Sequence, residues 1–483
     1  MSITVNKLSD TLLLLAREHL NNLDLEQAIE AINQSLKKRQ QDSGSDLSIH
    51  GNLLWAKILL TKGRFLRDLS FPTLALNKLL DLKTFIPPLN KTLTSLPFYL
   101  LIGESYTQLE LFDKAKTTYE NILQVSKEKQ HNIGEIQALN GLANLALISE
   151  DTEGALDAAN QSLELLIQHT DEADYADLVD NYLLQSAIFL EKRDFSQAIN
   201  YAERAIQICK ERNLKELKLT ASLFAGRIAI QMKDYKAAIT YLLTVKEESF
   251  ASNHEAYFAE SLLHIGITYN EVFHYPKSLE SLNLVAEAAE NLLRPIDQVL
   301  LLNFLGKSHF LLAEREKAEA YFLKAEKLAR QYQDKPALAF CFAYLGVINS
   351  SKSEFNKALR YAKKVNNIRK EIGDVDGIQV NLINLGSVHN KLEKYSESIK
   401  LTSRGIAAAK RMKDGLAEIR GYQIMAEIFR KKKEYKSAVM YQMIYTKFYE
   451  DFYQRNDRQQ VSEIEHQFTI QQLEKKIADL SVR

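Results

Sequence analysis

Glycine, proline and cysteine are scarce in this chain of 483 residues. Seventeen glycines and seven prolines leave no stretch that could serve as a long flexible linker. The two cysteines, Cys209 and Cys341, lie far apart within apolar helical stretches. That fits buried thiols in a reducing compartment and not a disulfide framework. An excess of charge is also missing. The 62 basic and 62 acidic side chains balance to zero, which argues against a general polyanion binder and against nucleic acid as a partner. No apolar run approaches membrane-spanning length, so no membrane association is expected. The apolar run Leu12–Ala16 is too short for a signal-peptide core, and a cytoplasmic protein is expected. No Gly-x-x-x-x-Gly-Lys, Gly-x-Ser-x-Gly or glycine-rich phosphate loop occurs, nor any His-x-x-x-His or Cys-x-x-Cys spacing. The expectation is therefore no catalytic residue, no metal and no cofactor.

What the chain does have is a small residue that recurs about every forty positions, paired with a second small residue twelve positions later. The pairs are Ala16/Ala28, Gly63/Ala75, Gly103/Ala115, Ala143/Ala155, Ser186/Ala198, Gly226/Ala238, Gly266/Ser278, Gly306/Ala318, Gly346/Ala358, Gly386/Ser398 and Ala426/Ala438. Helices that cross closely need small side chains at the crossing, so each pair predicts one helical hairpin. Hairpins stacked at a fixed period predict a solenoid, in which every repeat buries its apolar face on its neighbours.

The spacing resembles the tetratricopeptide repeat, whose first helix carries a bulky residue, then Leu-Gly, then an aromatic, and whose second carries Ala and an aromatic. Leu382, Leu385-Gly386 and His389 match the first half of one unit. Leu302, Leu305-Gly306 and His309 match another, and Tyr99, Ile102-Gly103 and Tyr106 a third. The second helix opens on an aromatic at Phe112, Phe195, Tyr235, Tyr275, Phe355, Tyr395 and Tyr435. The period is that of the long-helix variants, such as kinesin light chains, spindle-orientation adaptors and Rap-type bacterial regulators. The resemblance implies an all-α, right-handed α-solenoid superhelix of about eleven helical-hairpin repeats over residues 1–449, with a C-terminal capping or coiled-coil helix over residues 450–483. It implies His309 and His389 as packing residues.

In such folds the first helix of each repeat lines the concave groove. The family's inner positions, counted from the recurring small residue, fall on Asn140, Asn144, Arg227, Asn270, Asn303, Lys307, Asn384, Asn390 and Arg420. Asparagine is a poor helix former, and its amide can bond both the N–H and the C=O of an extended peptide. The competing reading is that these amides bond neighbouring helices. The lysine of the chaperone-binding clamp is absent: Leu13, Leu60 and Leu100 stand at its position.

Gln454–Arg483 resembles the signalling helix that, in bacterial tetratricopeptide sensors, leads into a histidine kinase, a diguanylate cyclase or a DNA-binding domain. The chain stops at Arg483, so either an output domain follows or this helix recruits the partner. Val461, Ile464 and Phe468 form one apolar stripe, expected to cap repeat eleven. Ile470, Leu473, Ile477 and Leu480 form another on nearly the opposite side, with the three-four-three spacing of a coiled-coil seam. The second stripe is expected to pair with a partner helix or to form a homodimer. The acidic cluster Asp171, Glu172, Asp174, Asp177 and Asp180, and the basic turn Arg430–Lys433 with Lys436, are read as solvated faces or docking charges. The resulting expectation is a non-catalytic regulatory or sensory module that binds a protein or peptide in its groove. The alternative is a structural adaptor in a larger assembly.

Overall fold

The computed structural model describes residues 52–60, 70–169, 175–287, 292–453, 461, 463–465 and 467–468. Repeat one, the acidic residues Asp171, Glu172 and Asp174, and the seam at Ile470, Leu473, Ile477 and Leu480 lie outside the described residues. The chain divides into two compact units, residues 1–261 and 262–483, with the division inside the helix Glu255–Glu271. Among the described residues all regular structure is helical.

In the first unit, repeat two contributes Ser70–Leu82. Repeat three is Leu96–Gln108 with Phe112–Glu128, and repeat four Asn132–Ile148 with Thr152–Gln168. Repeat five is Tyr175–Glu191 with Phe195–Glu211, and repeat six Lys215–Met232 with Tyr235–Ala251. In the second unit, repeat seven is Glu255–Glu271 with Tyr275–Ala286, and repeat eight Pro295–Leu311 with Arg315–Gln331. Repeat nine is Lys335–Ser351 with Phe355–Glu371, and repeat ten Val375–Lys391 with Tyr395–Met412. Repeat eleven is Gly415–Lys431 with Tyr435–Tyr453. We call the two helices of a repeat A and B. In repeats three to six and in repeats eight to eleven, helices adjacent in sequence pack on one another, and each helix A also touches the helix A of the next repeat. The helices A therefore form one continuous wall within each of these runs. The double proline between Phe85 and Pro88 breaks the chain out of helix after repeat two, as Pro requires.

The forty-residue period resolves into two halves of twenty. Most helices run seventeen residues and are joined by three-residue connections, such as 109–111 and 129–131. The middle residue of each connection sits in the left-handed region, with φ of 57° at Glu110, 58° at Arg193, 61° at Lys233 and 58° at Glu393. The residue after it donates its N–H back to the carbonyl five positions earlier: Leu111 to Tyr106, Asp151 to Ala146, Asp234 to Ala229, Asp414 to Ala409. That is the Schellman closure of a helix C-terminus. The same residue then starts the next helix. The carboxylates of Asp151, Asp194, Asp234, Asp334, Asp374 and Asp414 each accept the N–H three residues on, at 2.8–3.1 Å. One residue thus closes one helix and caps the next, and this fixes the sharp reversal between them.

A side chain in the left-handed region costs about 1–2 kcal/mol, because its Cβ crowds the following carbonyl. Glu393 is exposed and sits there. Glu393→Gly should therefore stabilise repeat ten by about 0.5–1 kcal/mol, the relief being partly offset by glycine's greater freedom in the unfolded chain. A fall in the melting midpoint would show that this residue is held by something other than the turn.

The recurring pairs meet directly. Ser186 Oγ donates to the Ala198 carbonyl at 2.5 Å, and Ser398 Oγ to the Gly386 carbonyl at 2.6 Å. The hydroxyl can sit on either helix because the crossing brings each member to the other's backbone. Space above the glycine is filled from helix B, sixteen residues on: Tyr119 over Gly103, Leu242 over Gly226, Leu282 over Gly266, Phe322 over Gly306 and Thr402 over Gly386. A Cβ at Gly306 would lie 2.9 Å from the Phe322 ring, so the glycine is required there. His309 stacks on Tyr321 with centroids 5.3 Å apart and is 8% exposed, which makes it the packing residue expected from the sequence.

Val439 and Met443, on helix B of repeat eleven, stay 58% and 68% exposed. Among the described residues after 460, Glu465 reaches repeat seven: Lys277 and Glu465 form an ion pair across 188 positions of sequence.

Candidate functional site

The nine expected groove residues fall into two groups. In the first, four residues bond the neighbouring repeat. Asn140 accepts from Asn181 Nδ2 at 3.1 Å, Asn270 donates to Ser308 Oγ at 2.7 Å, and Asn303 accepts from the Cys341 thiol at 3.0 Å. Lys307 pairs with Glu271 at 2.6 Å. Burial alone would lower the Lys307 pKa, but the Glu271 carboxylate overcomes it and holds the amine above its ordinary value. Asn270, Asn303 and Asn390 are at most 2% exposed. Two of them, Asn270 and Asn390, fall at the twelfth family position, which the helix crossing buries.

The other group has groove-side exposure. Asn144 is exposed, and Arg227, Asn384 and Arg420 are half-buried. Asn144 and Arg227 belong to the first unit. Asn384 and Arg420, from repeats ten and eleven, are brought together in the second: Arg420 donates to Asn384 Oδ1 at 2.7 Å. Asn384 in turn donates to Asn381 Oδ1 at 3.2 Å, and Asn381 Nδ2 is held by the Ala362 carbonyl and Asn366 Oδ1, each at 2.9 Å. Asn381, buried to 2%, lies outside the family's inner positions and was not expected in the site.

This chain of amides borders a cavity of about 140 Å³ lined by Gly346, Ala358, Ala362, Asn384, Lys391 and Arg420, among others. Its origin is local. Repeat nine combines a glycine on helix A with an alanine, Ala362, at the filling position sixteen residues later. A Cβ at Gly346 would meet nothing nearer than 3.4 Å. Gly346 is accordingly the member of the described pairs that stays partly exposed. In repeats four and five the filling residues are also alanines, Ala159 and Ala202, but there the helix A member is Ala143 or Ser186 and supplies its own side chain. The signal was in the sequence, as the one repeat that pairs a glycine with an alanine sixteen residues on.

The cavity's rim is cationic. Lys391 is neutralised by Glu427 at 3.1 Å. Arg420, among the described residues, has a neutral amide as its hydrogen-bond partner and makes no ion pair. Burial pushes its guanidinium below the ordinary value, while Tyr344 and Asp414 act in the opposite direction. The Asp414 carboxylate is itself committed to capping its helix at Ala417. A half-buried guanidinium bonded to an amide has unused fork donors and a favourable place for an anion.

Other features are structurally satisfied. A hollow of about 420 Å³ near Cys209, Lys218 and His254 has its Lys218 paired with Glu248 at 2.5 Å. In the basic turn, Lys431 pairs with Glu427 at 3.4 Å and Lys432 with Glu434 at 2.6 Å. Burial pushes the Cys209 thiol up to about 11 and the Cys341 thiol up to about 12, so both stay protonated at neutral pH. Among the described residues no cluster of His, Cys, Asp or Glu could hold a metal ion, and no helix is long and apolar enough to cross a membrane.

Comparison with known proteins agrees with this geometry. The tetratricopeptide repeat family pattern matches residues 96–129, which span the repeat-three hairpin. No curated protein matches. A Rap protein complexed with competence and sporulation factor aligns with a TM-score of 0.54 at 12% identity, over 74% of this chain and 98% of that one. At that identity the likeness is one of fold. The apo form of RapI aligns with a TM-score of 0.47 at 20% identity, over 58% of this chain and 99% of that one. The apo form of the quorum sensor NprR from B. thuringiensis aligns with a TM-score of 0.44 at 16% identity, over 67% and 99%. The matched hairpin is one of a run of hairpins built on the same small-residue crossing and the same turn, so the fold of the chain is similar to that of tetratricopeptide repeat proteins with long helices and a forty-residue period.

Proposed function

We propose that this protein is a non-catalytic regulatory module that binds a peptide, with the repeat-nine cavity and the Asn381–Asn384–Arg420 chain as its recognition site. The observation that carries the reading is the coincidence of an unfilled apolar hole with a half-buried guanidinium that has only an amide partner. A peptide supplies what both lack: an apolar side chain for the hole, and a carboxylate, from an acidic side chain or the C-terminus, for Arg420. The Asn384 amide offers backbone recognition beside them. A Rap protein of the same fold was solved with competence and sporulation factor bound, which lends the reading support by fold. Two buried, protonated thiols agree with a reducing, cytoplasmic location. The seam Ile470, Leu473, Ile477 and Leu480 is retained as the proposed contact with a second helix, supported by its spacing alone.

The reading is tested by selecting binders from a random short-peptide library displayed with free C-termini. Acidic or C-terminally exposed peptides should be enriched on the wild-type chain and lost on Arg420→Ala. A hydrogen bond to a charged group contributes about 1.5–3 kcal/mol, so the loss should exceed tenfold. If nothing is enriched, or if the enriched peptides bind Arg420→Ala as well as wild type, this site is not where peptides bind.

A further inference from the structure

The C-terminal half of helix A of repeat seven, residues 262–270, is covered on every side. Residues 262–270 are each no more than 6% exposed where a value is given, and Gly266 is buried as well. A solenoid's inner helix shows one face to the groove. In repeat nine, for example, Ala343, Tyr344, Gly346 and Val347 stay half-exposed. Nine consecutive buried positions leave this half of the helix no open face. Part of the cover comes from Glu465, which pairs with Lys277 of helix B and lies beside Tyr269 of helix A. Burial and then the Glu465 carboxylate hold the Tyr269 phenol well above its ordinary range. Val461 and Glu465 are four residues apart, on one face of a helix, and Val461 is 1% exposed. An acidic residue and an apolar one therefore enter the same contact together.

We propose that the described residues between 461 and 468 are a displaceable intramolecular occupant of repeat seven. They hold a surface that fits an acidic amphipathic helix and keep it closed to other ligands. The contact is built for exchange. Both partners of the ion pair keep 31% side-chain exposure, so it is partly wet and screened by salt. The segment follows repeat eleven in the same chain, which makes its closure an intramolecular equilibrium with a high effective concentration. A helix of the same chemistry from a second copy of this chain would compete for the same place. Tyr269 and Lys277 of repeat seven are unavailable while the segment is seated.

The probe is a labelled synthetic peptide of residues 455–483, added to the full-length chain and followed by fluorescence anisotropy. Segment exchange is read with the chain's own sequence, so its failure and the failure of peptide recognition at repeat nine are separate results. Wild type should exclude the peptide. Glu465→Lys sets like charges against each other, should release the resident segment, and should bind the wild-type peptide at least about tenfold more tightly than wild type does. Lys277→Glu should also open, but should take a peptide carrying Glu465→Lys and refuse the native one. The double swap, Lys277→Glu with Glu465→Lys, should close again and exclude both. Hydrogen exchange at residues 262–270 should rise in each single variant and return to the wild-type rate in the double. The proposal is overturned if wild type binds the peptide as tightly as Glu465→Lys does. It is also overturned if exchange at 262–270 is the same in all four chains, or if the double swap is as open as the singles.

Discussion

Phe322→Ala should destabilise repeats eight and nine by about 3–5 kcal/mol, the largest effect expected from any single substitution considered for this protein. Phe322 is fully buried, stacks on Tyr344 with centroids 4.9 Å apart, and is the residue that fills the space over Gly306. Truncation removes its transfer free energy and leaves a hole bounded by a glycine on one side. Gly306 has no side chain with which to relax into that hole, so the cavity term is added nearly in full. Residues of both repeats share the cluster that includes Val299, Leu338, Phe342 and Leu345, so the damage should spread to the neighbour. It should stop there, since each repeat couples only to those beside it. Hydrogen exchange should accelerate across residues 295–371 and stay unchanged in repeats three and four. Equal loss of protection in every repeat would mean that the chain unfolds as a single cooperative body and not as a stack.

The parts of the fold that were legible in the sequence are those where geometry dictates residue type. A close helix crossing admits only Gly, Ala or Ser, so Gly306/Ala318 and its fellows announce the hairpin, and their spacing announces the stack. The connections were not legible for the opposite reason. The left-handed position is filled by Glu110, Arg193, Lys233 and Glu393, where glycine is the expected residue, and among the described glycines only Gly373 has positive φ. The closing hydrogen bonds are all backbone, so almost any side chain is tolerated there at a modest cost. Half of the twenty-residue subperiod is thus invisible until the backbone is seen.

The candidate site was legible in part. Family positions directed attention to Asn384 and Arg420, which meet at the cavity. They also selected Asn270 and Asn303, which are buried and bond the next repeat, because position along a helix does not report how deeply a crossing buries it. The cavity comes from an absence, a small residue at both 346 and 362. That pattern has meaning only once the sixteen-residue contact is known from the other repeats. The seating of Glu465 on Lys277 could not be read at all, since no periodicity links residues 188 positions apart.

Ala362→Leu gives repeat nine the kind of filling residue that Leu242 and Leu282 provide in repeats six and seven. Ala362 is 5% exposed, and the space in front of Gly346 is open, so the new side chain should enter the hole without displacing backbone. Filling a cavity of this kind should raise stability by about 0.5–2 kcal/mol. The same substitution removes the room for a ligand's apolar side chain, whose burial contributes about 1.5–3 kcal/mol, so affinity should fall about tenfold to a hundredfold. Stability and function should therefore move in opposite directions in one variant, which neither a general folding defect nor a purely structural cavity would produce. The decisive measurement is the affinity of Ala362→Leu for the peptides selected on wild type, taken beside its melting midpoint. Binding lost with the midpoint unchanged or raised is the result expected if repeat nine holds the ligand; binding retained at wild-type strength in a fully folded Ala362→Leu chain would contradict it.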